Sequence, residues 1–186
     1  MSTSPKLRQI VKQETRAIHK YTEDLPIMRQ IINQFIRPET YYCYLSQLLP
    51  IYEILESLEI CPDSVEGIAK LCRKDLEKLQ QDHGFSEPVI FPITKIYTEY
   101  LSKQFDKCAL TAHYYVRYLA DAKGGQILKS RLSKIGLPTN VYNLEYVTVE
   151  KDIDKMIIDV WDESVFLCET HHAFMAYTAI LTTICS

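Results

Sequence analysis

The chain has 186 residues, 47% of them hydrophobic and 24% charged, with a formal net charge of -3. At roughly 150 residues per domain this predicts a single domain over residues 1–186. There is enough apolar material for a sizeable core, too little charge for a disordered chain, and no chain-wide basic footprint for nucleic acid.

Met1-Ser2-Thr3-Ser4-Pro5-Lys6 runs straight into a polar amphipathic segment and lacks the apolar run of a signal peptide. Ser4 and Pro5 predict an N-cap and a first helical position. Leu7, Ile10, Val11, Ala17, Ile18 and Tyr21 then follow at three- and four-residue spacings, the apolar stripe of a helix. Pro38 opens a second helix, with Tyr41, Tyr42, Leu45, Leu48, Leu49, Tyr52, Leu55 and Leu58 inward. Pro50 predicts a kink or break near residues 46–50. A third helix runs from Ser64 to about Asp82 and ends at Asp82-His83-Gly84. Pro88 and Pro92 mark a loop before a helix over Thr94–Phe105. Leu110 to Ile135 is strongly periodic and stops at Gly136-Leu137-Pro138, a Gly cap with Pro beyond it.

Residues 139–150 hold the only strand-like content, Val147-Thr148-Val149 included, and are expected to form an extended connection. The final helical region covers Asp152 to about Thr183. Its apolar end, Ala173–Cys185, is shorter than the roughly 20 residues of a membrane span and reads as a last core helix. With five glycines and no Asn-Gly or Asp-Gly hairpin turn, the pattern predicts an all-α domain. No two of the cysteines at 43, 61, 72, 108, 168 and 185 lie within four positions of each other. A CxxC zinc or redox motif is therefore absent, and a soluble protein of the reducing cytoplasm is expected.

One feature of the periodic segment is anomalous. Gly124 and Gly125 fall in mid-helix, where each costs about 1 kcal/mol relative to alanine and the pair favours a kink. Side-chain-free backbone admits a close neighbour, either a flat ligand or another helix. Among the histidines, His19 has Glu23 four residues on, the spacing of a helix-face pair. That pair is either a surface contact or an imidazole whose second nitrogen is oriented by a carboxylate, as ligating histidines usually are. His113 is expected to be structural or exposed. At most one of His171 and His172 faces the core. Glu169-Thr170-His171-His172 is the chain's only Glu-x-x-His, and a ferritin-like di-iron site needs two.

Two segments together resemble haem oxygenase. Thr15-Arg16-Ala17-Ile18-His19-Lys20-Tyr21-Thr22-Glu23, followed by Leu25-Pro26-Ile27-Met28-Arg29, is similar to that family's proximal helix. Ala112-His113-Tyr114-Tyr115-Val116-Arg117-Tyr118-Leu119-Ala120-Asp121-Ala122-Lys123-Gly124-Gly125-Gln126 resembles its distal helix. Ile51-Tyr52-Glu53-Ile54-Leu55-Glu56 matches the helix that contributes a tyrosine to the distal network. Arg73-Lys74-Asp75-Leu76-Glu77 and Ala173-Phe174 match more loosely.

The resemblance implies a haem oxygenase-like helical bundle with haem between the first helix and a glycine-kinked distal helix. It implies cleavage of haem at a meso carbon to biliverdin, CO and ferrous iron. O2 is the co-substrate, and a ferredoxin or flavin reductase is the external electron donor. His19 becomes the axial ligand, backed by Glu23. Lys12, Arg16 and Tyr115 become contacts for the haem propionates, while the choice between Lys151 and Lys155 as a further anchor stays open. Asp121 is implied to hold the water that delivers protons, with Tyr52 and Arg117 keeping it in place. Gly124 and Gly125 allow the close approach of haem and the hinge motion of binding. A neutral histidine also pushes less strongly toward O–O heterolysis than a thiolate does.

Three positions depart from the family pattern. Ala120 replaces a glycine before the distal aspartate, Lys123 replaces a small polar residue, and Tyr177 stands where an amide is common. Ala120 is the one sequence feature favouring a haem binder or sensor without cleavage activity. A haem-free di-iron oxidase, a thiaminase-like relative or a purely structural helical domain are the readings from other classes. The thiaminase chemistry needs an activated thiol, and no motif beside Cys43, Cys108 or Cys168 supplies one.

Overall fold

Prolines and caps divide the chain into helices, as their chemistry requires. The computed structural model describes residues 4–184, with side chains from Lys6 onward. Helix α1 spans Ser4–Glu14 and α2 Arg16–Glu23. Helices α3 (Pro26–Ile32), α4 (Pro38–Ser57) and α6 (Pro92–Lys103) each begin on a proline, whose missing N–H is an orphan there anyway. Between them α5 covers Ile68–His83. Helix α7 (Lys107–Tyr114) runs through a π-helical turn, Tyr115–Leu119, into the short α8 (Ala120–Lys123) and then α9 (Gly125–Lys134). A 3₁₀ turn at Asn140–Tyr142 precedes α10 (Tyr146–Ile158) and α11 (Glu163–Ile184). Among the described residues no strand occurs, as the all-α reading expects. Helix α1 begins at Ser4, but the side-chain cap expected there, the start of the chain and Cys185 lie outside the described residues.

Several boundaries differ from the sequence expectation, each for a physical reason. The first helix is two helices: Thr15, at φ -92 and ψ 0, turns the chain between them, and its hydroxyl donates back to the Val11 carbonyl at 2.7 Å. Helix α4 passes through Pro50 without a break. Leu45 and Leu48 before the proline and Ile51, Tyr52 and Leu55 after it are all buried in one core, and that burial offsets the lost hydrogen bond. The third helix starts at Ile68 rather than Ser64, because Gly67 takes φ +90 and Glu56 accepts from the Gly67 and Ala69 amides.

The extended connection expected over 139–150 is instead a 3₁₀ turn and the first turn of α10. Val149, Ile153 and Ile157 are buried at four-residue spacing, so the β-branched residues there sit on one helix face. The region from Asp152 onward is likewise two helices. Asp162 breaks it, its Oδ1 accepting from the Ser164 and Val165 amides that begin α11.

Candidate active site

Two separate elements carry the expected site residues, and the fold brings them to one place. Tyr52, from the middle of α4, donates its hydroxyl to Asp121 Oδ2 at 2.7 Å. Arg117, one turn before Asp121, donates Nε to the same oxygen at 2.8 Å and Nη2 to Oδ1. Tyr52, Arg117 and Asp121 are only 0%, 8% and 3% exposed, so this bidentate pairing is what makes two buried charges tolerable. The guanidinium also lies 4.4 Å from the centroid of the Tyr177 ring, whose hydroxyl meets that of Tyr44 at 3.0 Å.

Burial opposes the Arg117 charge, yet Asp121, Tyr52 and Tyr177 hold its pKa well above the ordinary value. Burial and the Asp121 charge push the Tyr52 phenol strongly upward. Arg117 therefore stays charged, and Tyr52 keeps the proton it donates. The π-helical turn that carries Arg117 is a local distortion of a kind frequent at functional sites.

On α2, His19 Nδ1 lies 3.6 Å from Glu23 Oε1. That is ion-pair range, too long for a hydrogen bond. Both side chains are about half exposed, and the His19 ring meets Phe174 of α11 edge-on at 5.8 Å. Phe174, Ala173 and Val116 form an apolar cluster distinct from the main core, with Ile18 and Tyr115 packed against it. His19 and the Arg117–Asp121 segment thus flank one small apolar cluster. Ala120 and Gly124 follow Val116 and are exposed, one turn apart, the Gly124 amide donating to the Ala120 carbonyl at 2.7 Å. The Ala120 methyl is therefore not crowded. Lys123 points outward, exposed, with its ammonium 5.9 Å from the Tyr146 ring.

The two glycines differ. A Cβ added to Gly125 would lie 2.7 Å from Tyr142 Cδ1, whereas one added to Gly124 meets only the Ala120 carbonyl at 3.0 Å. The close approach at Gly125 is thus made by the Tyr142 ring.

Lys12 and Arg16 are exposed, and among the described residues neither is engaged in an ion pair. Tyr115 is half-buried, edge-on to Phe166, with the Arg8 guanidinium near its hydroxyl. Arg8 itself binds Glu150 at 2.8 Å and Asp154 at 2.9 Å on α10. Sequence reasoning passed over Arg8, although it continues the Lys12–Arg16 file by one helical turn. It also missed the Tyr44–Tyr177 contact, for which no local signal exists.

The heme oxygenase family profile matches residues 5–182. Haem oxygenase 1 of Pongo abelii is 27% identical over 156 residues, covering 76% of this chain and 54% of that protein. The Gallus gallus protein of the same name is 28% identical over 165 residues, covering 80% and 55%. The chain spans about half the length of the curated relatives it matches. Its fold is similar to that of a haem oxygenase from Leptospira interrogans, with a TM-score of 0.78 at 22% identity over 98% of this chain and all of that one. Haem oxygenase-1 from the cyanobacterium Synechocystis in complex with haem gives 0.71 at 18% identity, covering 98% of this chain and 92% of that one. The profile match over nearly the whole length, on a bundle that sets His19 beside Phe174 and buries Asp121 between Arg117 and Tyr52, makes this chain a member of the haem oxygenase family.

Proposed function

We propose that the protein is a haem oxygenase, cleaving haem at a meso carbon to biliverdin, CO and ferrous iron with O2 and electrons from an external donor protein. The observation that carries this reading is the buried Arg117–Asp121–Tyr52 triad beside the cluster that His19 flanks. Family membership and the haem complex of a structural relative support it.

The residues present fit haem, a flat apolar disc with two carboxylates at one edge. His19 has a carboxylate beside Nδ1, which leaves Nε2 as the ligating atom. Ile18, Val116 and Phe174 offer an apolar surface, and Lys12 and Arg16 offer exposed positive charge for the propionates. Bound haem supplies the iron at which O2 is reduced and the ring that is opened.

The chain's own residues then do three things. His19 would hold haem through Nε2. Asp121, held by Arg117 and Tyr52, would position the water that delivers protons on the distal side. Gly124, exposed beside Ala120, leaves the backbone open there.

Two of the thiols are unsuited to be the nucleophile that a thiaminase-like relative needs. Burial pushes the Cys61 thiol up to about 11 and the Cys72 thiol strongly upward, the reverse of activation. We also propose a reducing, cytoplasmic location. The thiols of Cys61, Cys72, Cys108 and Cys168 are outside any disulfide, and among the described residues no helix is long and apolar enough to cross a membrane.

The test is reconstitution with haemin, followed by a reductant in air with catalase present. Loss of the Soret band with growth of a biliverdin band is expected. A stable Soret band would reduce the protein to a haem binder, and no Soret shift would overturn haem binding itself.

A further inference from the structure

On the far side of α11 from Phe174, three ligand-type side chains converge. His172 and Phe174 are two residues apart on one helix, so they project to roughly opposite faces. Glu169 and His172 are the single Glu-x-x-His pair of α11, and His113 comes across from α7. Their ligand atoms lie within 4.8 Å of one another. His113 Nε2 stands 3.1 Å and His172 Nδ1 3.2 Å from Glu169 Oε2. Two donor atoms each about 2.1 Å from a common ion, at octahedral or tetrahedral angles, are about 3.0–3.4 Å apart. The two distances from Glu169 to the imidazoles are therefore already those of neighbouring ligands in a coordination shell, and the two imidazole nitrogens lie within 4.8 Å of each other.

The surroundings are also those of a metal site. Tyr97 Oη meets His113 Nδ1 at 2.7 Å, the outer contact that sets a ligating imidazole's tautomer and orientation. Tyr100 donates to Glu169 Oε2 at 2.7 Å. Tyr100 Oη, His113 Nε2 and His172 Nδ1 thus converge on one carboxylate oxygen that has two lone pairs, and a cation bound there would take the two imidazole nitrogens as ligands. His113 is fully buried, but the His172 side chain is 36% exposed. His172 borders a cavity of about 350 Å³ that Ile93, Ile96 and Met175 also line, a route of entry from solvent.

We propose that His113, Glu169 and His172 bind one divalent transition-metal ion of the iron-to-zinc series, at a site separate from that of His19. Two imidazoles and one carboxylate suit Fe2+ in a facial arrangement and Zn2+ in a tetrahedral one. With one Glu-x-x-His in the chain, the site is mononuclear. The inference does not rest on the haem reading.

The test is titration of the haem-free protein with Co2+, whose visible d–d bands report nitrogen and oxygen ligation. Wild type is expected to bind one equivalent. Glu169→Gln and His172→Ala are expected to bind at least ~10-fold more weakly, and His19→Ala like wild type. The His172 side chain is about a third exposed, so that variant is expected to keep its fold, which circular dichroism checks. Absence of d–d bands at large excess of Co2+ would overturn the proposal. So would unchanged affinity in both Glu169→Gln and His172→Ala, or loss of the bands in His19→Ala alone.

Discussion

The Tyr52 phenol reaches Asp121 across 69 residues of chain and donates a 2.7 Å hydrogen bond from a position of complete burial. Its own high pKa makes the donation permanent at physiological pH. Since Arg117 grips the same carboxylate, α4 and the π-helical turn are locked together at one oxygen atom.

Asp121→Ala removes that lock and leaves a buried guanidinium without its counter-ion. The expected cost is about 3–5 kcal/mol of stability, the usual penalty for breaking a buried ion pair from one side. Haem binding through His19 is expected to persist while ring cleavage is lost. Asp121→Asn keeps one acceptor oxygen and is expected to separate the two effects, more stable than the alanine variant but still inactive. Denaturant unfolding, a Soret titration and a biliverdin assay check the three readings. Biliverdin production at the wild-type rate would remove Asp121 from the mechanism.

His19 is the opposite case, half exposed and outside any core. His19→Ala is expected to change stability by no more than about 0.5 kcal/mol, yet to abolish the axial-histidine spectrum of bound haem. An unchanged spectrum would mean that another residue ligates.

Gly125 and Gly124 are expected to respond unequally. Gly125→Ala drives a methyl into the Tyr142 ring and is expected to cost about 1–3 kcal/mol, the range for overpacking a core. Gly124 has helical angles, φ -72 and ψ -34. The gain in helix propensity there, about 1 kcal/mol, works against the tight contact with Ala120. Paired denaturation midpoints decide the order. A Gly124→Ala variant less stable than Gly125→Ala would refute this assignment.

Asp75 on α5 pins the 3₁₀ turn that supplies Tyr142. Its Oδ1 accepts from Asn140 Nδ2 at 2.6 Å and its Oδ2 from the Val141 amide at 2.9 Å. Hydrogen bonds to a charged group contribute about 1.5–3 kcal/mol each, so Asp75→Ala is expected to be clearly destabilising. Burial raises the Asp75 carboxyl above its usual 3.8. A carboxyl raised on folding contributes stability below its unfolded pKa and loses it as pH rises through the folded pKa. The stability of wild type minus that of Asp75→Asn is therefore expected to fall as pH rises from about 3.8, then level off. A difference that grew with pH would contradict the buried environment described for Asp75.

Much of this protein follows from local chemistry. Pro38 at a helix start, the Gly136 cap and the three- and four-residue apolar spacings are enough for an all-α chain, because each acts within a turn or two of itself. The same holds for His19 with Glu23 and for Arg117 with Asp121, both pairs four residues apart on one helix face. Local signals failed where burial outweighed them. Pro50 stays inside α4 because both of its flanks are in the core. Val147-Thr148-Val149 is helical because Val149, Ile153 and Ile157 share a buried face. Only the tertiary structure decided that Tyr52 completes the Asp121 site, that Tyr142 occupies the space beside Gly125, and that His113 meets Glu169 and His172. Such contacts join helices far apart in sequence, and what fixes them is the complementary packing of the whole bundle.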